Sequence, residues 1–358
     1  MRFIETTRMW PTLLLACLFV AGSLAIAQDS IVISGGAGMV GTTSSGSKFV
    51  QPILAPVAVV PIGERVLIES RGDIREFLFW PANGSYSHQF FGSLEYLQVS
   101  VIANSHLTLT AGKFLTPFGV YNERLTPIWI RNFQDAPIIF PIGTRTTGSS
   151  NGAMIRGNVV ARRDWQVDYA GYFSASSNVE QFKAGRSAGL RTSLFLPKPG
   201  LEIGGSYERY LQATLTGDTV TPGALDENDT NIFGAHLWWH PPQSAFHFKS
   251  EFAHSPSGHG YWIETAYRFG KPASTAYFSG VEPLFRMQQF IRRDQRVGDS
   301  LPREGAQQAD FGVNYYITPT LRVNGSYSRQ FTPLGDRNIW NVAITYRFLV
   351  PIPLGSKK

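Results

Sequence analysis

From Asn341 to Phe348 the chain alternates at every step. Val342, Ile344, Tyr346 and Phe348 share one face, and Asn341, Ala343, Thr345 and Arg347 the other. Successive side chains of a strand point to opposite faces, so this octapeptide predicts a strand with one apolar and one polar side. The same alternation returns roughly every 15–25 residues back to about residue 64. It predicts strands near 65–80, 90–103, 107–116, 152–161, 165–173, 186–195, 201–209, 231–239, 245–253, 261–269, 275–285, 309–317, 321–330 and 339–348. Within them Val167, Tyr169 and Phe173 oppose Gln166, Asp168 and Ala170, and Phe311, Val313 and Tyr315 oppose Asp310 and Asn314. Nearly every charge falls on the polar face. In residues 90–104 the phase flips near Tyr96-Leu97, which predicts a β-bulge.

The connections sort into two kinds. Tight ones, such as Asn104-Ser105-His106, Arg162-Arg163-Asp164, Gly270 to Ser274 and Thr318-Pro319-Thr320, alternate with longer polar ones near 118–150, 174–185, 211–230, 286–308 and 331–338. An up-and-down transmembrane barrel has short turns at one rim and long loops at the other. The expected fold is therefore all-β, a transmembrane antiparallel β-barrel of 14–16 strands with short periplasmic turns and long extracellular loops. Two segments leave the count open. Residues 28–48 are Gly/Ser/Thr-rich and read as a mobile leader. Residues 49–63 are apolar but hold Pro52 and Pro56, so they form either a strand, which with part of 28–40 would give sixteen, or a plug or strap along the wall.

Composition fits this picture. Aromatics make up 13% of the 358 residues and charged residues only 16%, which suits a lipid-facing wall with aromatic girdles. Mean hydropathy is −0.09, because polar inward positions cancel apolar outward ones. The only long apolar run is Leu13 to Ala27, preceded by Arg2 and Arg8 and ending in Ala25-Ile26-Ala27, so residues 1–27 read as a signal peptide cleaved near Ala27. Cys17, the sole cysteine, lies inside that run, which continues past it and so disfavours a lipoprotein site. The net charge of +6 is spread out with no basic block, which argues against nucleic acid as a partner. Gly36-Ala37-Gly38-Met39-Val40-Gly41 matches a dinucleotide-binding spacing only formally, because a Thr/Ser run follows where a helix is needed.

The stretch Leu107 to Gly119 contains Gly112, Phe114, Pro117, Phe118 and Gly119. These residues resemble the element that ends a strand in the phosphate-selective porin O/P-like group of bacterial outer-membrane porins. The resemblance covers residues 64–160 by motif and the remainder by strand rhythm. It implies a channel in the cell outer membrane, with anion selectivity set by basic residues in the pore. No lysine ladder of that kind aligns here. By analogy with such porins a homotrimer is the expected assembly. Phe348 resembles the terminal aromatic that assists barrel insertion, although Leu349 to Lys358 follow it, and residues 64–348 are read as the barrel with 349–358 as an extension.

The long 118–150 loop carries the candidate chemistry. It holds Arg124, Arg131, Asp135 and Arg145 beside Trp129 and an apolar Pro137-Ile138-Ile139-Phe140-Pro141. Such a loop either folds into the barrel mouth and narrows it or packs outside against a neighbouring subunit. With Arg156 and Arg191 on inward positions, these residues are the candidates for lining or narrowing the route. Glu202, Glu208, Glu251, Glu264 and Glu282 also face inward, so the field is mixed and a weak anion preference follows. Pairing of these glutamates with arginines on adjacent strands is the plainer account of them.

His254-Ser255 and Ser257-Gly258-His259 suggest a lipid hydrolase, but no nearby acid orients the histidines. His236, His240, His247 and His254 lack metal-ligand spacing. No catalytic residue, cofactor or metal is expected. The partners expected are small hydrophilic solutes or ions, outer-membrane lipid, and lipopolysaccharide meeting the basic loop with Arg292 and Arg293. The function expected is passive diffusion. The alternatives are a non-conducting barrel with a structural or surface role, and a barrel-embedded lipid hydrolase.

Overall fold

The computed structural model describes residues 30–139, 148–176, 185–211, 229–270, 280–293 and 304–353. The signal segment with Cys17, Arg145, the acidic residues Asp218, Asp226 and Glu227, and Arg296 and Arg303 lie outside these residues.

Sixteen antiparallel strands close into one barrel, and their order in the sheet is their order in the chain. They are β1 Ser30–Ser44, β2 Ser47–Ile62, β3 Val66–Trp80, β4 Ser87–Asn104, β5 Leu107–Leu115, β6 Ser149–Ala161, β7 Gln166–Ser176 and β8 Gly185–Leu196. The second half contains β9 Leu201–Leu211, β10 Asp229–Trp239, β11 Phe246–Ser255, β12 Gly258–Tyr267, β13 Val281–Arg292, β14 Ala306–Tyr316, β15 Leu321–Phe331 and β16 Arg337–Pro353. β16 closes onto β1, with Ser30 opposite Pro353 and Ser44 opposite Ile339. Closure removes every free sheet edge, and the even strand count brings β1 and β16 to the same rim at their outer ends.

The two-residue rhythm is visible as exposure. Phe311, Val313 and Tyr315 are exposed while Asp310 and Asn314 are fully buried. On β16 Val342, Ile344 and Tyr346 are exposed while Asn341, Ala343 and Thr345 are buried. Apolar residues thus face out and polar residues face in, the reverse of a water-soluble protein and the arrangement a bilayer demands. No helix among the described residues is long and apolar enough to cross a membrane. The predicted bulge is present. The β3–β4 register shifts between Arg71, opposite Tyr96, and Gly72, opposite Leu94, so Glu95 is the extra residue. The bulge turns Glu95 inward, where it pairs with Arg71.

Residues 30–62, read partly as a mobile leader, are two full strands. Glycine permits this. A Cβ at Gly36 would stand 2.0 Å from Trp129 Cε3, so the missing side chain makes room for a loop inside the barrel. The prolines leave a trace as well. The β2–β3 ladder omits Gln51-Pro52 and Ala55-Pro56 yet keeps its register on both sides. Each proline removes a donor without breaking the strand.

The alternation of connection lengths is looser than expected. Segments 45–46 and 256–257 are two-residue turns on the long-loop side. β13 is described from Val281 and runs on to Arg292, and the first part of the expected 275–285 strand lies outside the described residues. Of residues 254–260, read as a loop, only 256–257 form a turn; the rest extend β11 and β12, and His254 stands directly opposite His259. Gly260 leaves room there for the inner loop, because a Cβ would lie 2.8 Å from Ile139 Cγ2.

Candidate functional site

The connection between β5 and β6 folds inward and crosses the lumen. Phe114, next to last in β5, is fully buried among Met154, Ala170 and Tyr172. The chain then turns at Gly119, whose φ of +59° suits glycine and whose Cβ would strike Glu251 at 1.8 Å. One helical turn follows, Tyr121–Leu125. Asn122 locks the loop to its own exit. Its Nδ2 donates to the carbonyls of Thr116 and Gly148, both at 2.9 Å, and its Oδ1 accepts from the Gly148 N–H at 2.9 Å.

Apolar side chains seat this loop inside the barrel. Phe118, Val120, Tyr121, Leu125 and Ile139 pack against inward-facing Ile232, Ala253, Trp262 and Phe290. Ile128 sits against Val40, Ile53 and Ala343 on the opposite side, and Phe133 against Ala266 and Leu284. Burying one such side chain contributes roughly 1.5–3 kcal/mol, while ordering one backbone residue costs roughly 1–2 kcal/mol. The two nearly cancel, so the polar anchors decide where the loop rests.

Those anchors reach most of the wall. The Glu251 carboxylate accepts from the N–H groups of Val120 and Tyr121, each at 3.3 Å. Ser206 Oγ accepts from Gly119 N–H at 3.0 Å. Arg71 of β3 donates to Thr126 Oγ1 at 3.2 Å. Arg322 of β15 donates to the Ile128 carbonyl at 2.9 Å, and Arg286 of β13 to the Asp135 carbonyl at 3.0 Å. Asn132 Nδ2 donates to Glu264 at 2.8 Å, and Gln288 Oε1 accepts from Ile138 N–H at 2.8 Å.

The candidate residues fall into place as follows. Arg124 projects from the helical turn to Glu202 at 2.6 Å. Arg156 of β6 and Arg191 of β8 share Glu123, with Arg156 at 3.3 Å and Arg191 also donating to the Gly119 carbonyl at 3.1 Å. Arg191 is buried, whereas the Arg156 side chain keeps 39% exposure. Asp135 accepts from Asn341 Nδ2 at 2.6 Å. Arg131 lines two cavities of about 10 Å³, each the size of one water, and its Nε has no hydrogen-bond partner among the described residues. Arg145 lies outside the described residues. Glu123 was missing from the expected set although it joins two of its members. Nothing local in Tyr121-Asn122-Glu123-Arg124 marks it, because its partners lie on distant strands.

The inward glutamates are mostly matched. Glu264 lies 3.5 Å from Lys249, Glu282 accepts from Asn314 at 3.0 Å, and the buried Arg286–Asp310 pair closes at 2.7 Å. The histidines form no catalytic array. The His254 and His259 rings are 6.0 Å apart, Ser255 Oγ donates to the Gly258 carbonyl at 3.3 Å, and His240 stacks on His247 at 4.1 Å. No group of three or more metal-ligating residues occurs among the described residues.

No protein-family profile and no curated protein matches the sequence. Solved structures do match in shape. OprB of Pseudomonas putida aligns with a TM-score of 0.61 at 10% identity, covering 90% of this chain and 94% of that one. OmpF of Salmonella typhi, in complex with daunomycin, aligns at 0.57 with 10% identity over 89% and 97% of the two chains. An anion-selective porin from Comamonas acidovorans aligns at 0.55 with 11% identity over 90% and 100%. These likenesses concern the fold. The chain has the closed sixteen-strand architecture of the outer-membrane porins, and the narrower likeness to the phosphate-selective O/P-like group is not among them.

Proposed function

We propose that the chain is a passive outer-membrane channel for small hydrophilic solutes, narrowed by the loop of residues 116–139 and weakly preferring anions. The single observation that carries this reading is that loop, drawn across a polar-lined lumen and tied to opposite walls by Arg71, Glu251, Arg286 and Arg322. An outward face of exposed apolar side chains supports residence in a bilayer, and the porin architecture of the similar structures supports the outer membrane. Arg124, Arg131 and Arg156 are assigned to the narrowed passage, Arg191 and Asp135 to holding the loop that narrows it, and Arg145 stays in the lining set on sequence grounds. Arginines in a low-dielectric constriction raise the local concentration of anions, and their carboxylate partners limit the effect.

One observation favours a second reading, a barrel that conducts little. Inward residues on β8–β16 are largely buried beneath the loop, and the cavities beside it hold about one water each. Recording in planar bilayers decides between the two. A channel gives discrete ohmic steps, and a salt gradient gives a reversal potential of anionic sign. Silence at protein levels where insertion is verified favours the plugged barrel. A lipid hydrolase finds little support, since Ser255 and His254 engage Gly258 and His259 rather than each other. Homotrimeric assembly and contact of Arg292 and Arg293 with lipopolysaccharide phosphates remain parts of the proposal. Loss of co-purifying lipid in Arg292→Ala/Arg293→Ala is the expected result, and unchanged lipid content counts against that contact.

A further inference from the structure

One stretch of the inner wall is apolar and open among the described residues. On β3, Arg71, Asp73, Arg75, Phe77 and Phe79 share the inward face, a direction fixed by the Arg71 bond to Thr126 of the inner loop. Phe91 of β4 stands directly opposite Arg75, and Phe49 of β2 directly opposite Phe79. The Phe49 and Phe77 rings lie 5.6 Å apart and the Phe77 and Phe91 rings 6.4 Å apart. Phe79 and Phe91 keep 38% and 43% of their surface open. Elsewhere inside the barrel, large apolar side chains such as Trp262 and Phe290 are sealed beneath the loop. The four phenyl rings instead form a strip along one side of the mouth.

A small cavity lies at the foot of this strip. Arg71, Arg75 and Arg131 line it together with Asp73 and Glu95, three guanidiniums against two carboxylates. Glu95 engages Arg71, and Asp73 engages Arg75 at 2.5 Å. Neither acid is bonded to Arg131, whose Nε has no hydrogen-bond partner among the described residues. The inner surface therefore runs from open aromatic rings to one cation in excess.

We propose that the strip and the arginines at its foot form a binding track for small aromatic carboxylates. The solute ring travels over Phe79, Phe77 and Phe91 by offset or edge-on stacking. Its carboxylate meets Arg75, which stays partly open at the rim of this water-sized cavity, through charge-assisted hydrogen bonds, with the Arg131 charge behind it. A neutral sugar leaves the excess guanidinium unmatched, and a short aliphatic acid leaves the rings unused. The transport role of the track rests on the channel reading, but its binding role does not.

The test separates the two. Equilibrium dialysis of the purified full chain in detergent measures retention of benzoate, acetate, benzyl alcohol and glucose, and planar-bilayer recording in potassium chloride measures conduction. Benzoate is expected to be held roughly tenfold more tightly than acetate or benzyl alcohol and to interrupt the chloride-salt current transiently. Phe77→Ala/Phe91→Ala loses that margin, and Arg131→Gln weakens benzoate while sparing benzyl alcohol. Phe91→Leu keeps apolar bulk without a ring and decides the matter should the double variant fail to fold. Equal retention of benzoate and acetate, tighter retention of glucose, or benzoate binding untouched by Phe91→Leu and Arg131→Gln overturns the track. Potassium chloride steps without benzoate preference sink the track alone, and benzoate retention without steps sinks the channel alone.

Discussion

Glu123 holds two guanidiniums at once, Arg156 from β6 and Arg191 from β8. Glu123→Gln removes one negative charge and leaves both arginines in place. The lumen becomes more positive where Arg156 is open to solvent, so the reversal potential in a salt gradient shifts toward anions; a shift toward cations contradicts the assignment. Arg286 and Asp310 pose a different case, because both are buried and their 2.7 Å pair lies against the wall. Arg286→Gln strands a buried carboxylate and is expected to destabilise by about 3–5 kcal/mol, whereas Arg286→Met with Asp310→Leu removes both charges and costs far less. Heat-modifiable gel mobility in urea reads the difference. At Gly36 any larger residue meets the Trp129 ring. Gly36→Leu is expected to cost about 1–3 kcal/mol through overpacking, and partial release of the loop shows as larger single-channel steps.

Among the elements, strands with strong alternation were legible and strands with weak alternation were not. β14, β15 and β16 carry apolar outward and polar inward residues at nearly every step, so bilayer and water specify them twice over. β1 reads Ser-Ile-Val-Ile-Ser-Gly-Gly-Ala-Gly, where glycine erases the contrast between faces. Its inward glycines exist because Trp129 and Ile128 pack there, a long-range fact absent from any local window. The same holds for Gly260 beneath Ile139. The bulge at Glu95 was legible near Tyr96-Leu97, since a phase flip leaves a local mark. The lipid-facing assignment has a direct check. Val342→Arg, placed outward on β16, is expected to cost about 2–4 kcal/mol, and Thr345→Ser on the inward side much less. Equal effects would contradict the assigned phase.

For the whole molecule, closure is the decisive event. Met39 of β1 faces Ile344 of β16 across the seam, and the sole native cysteine is Cys17. Directly paired residues of antiparallel strands bring their Cβ atoms to about 4.5–5.5 Å, close to disulfide reach. Met39→Cys/Ile344→Cys, with Cys17 replaced, is expected to oxidise to one cross-linked band that reductant abolishes; persistent free thiols contradict a seam in this register. The amino-acid sequence alone determined the strand phase, the barrel class and the inward placement of the charges, because each follows from neighbours one and two residues apart meeting either hydrocarbon or water. Only the tertiary structure decided that residues 30–62 complete the wall, that Glu123 joins Arg156 to Arg191, and that one loop spans the lumen. Those outcomes depend on groups tens to hundreds of residues apart converging inside a closed sheet, and pattern along the chain carries no record of that distance.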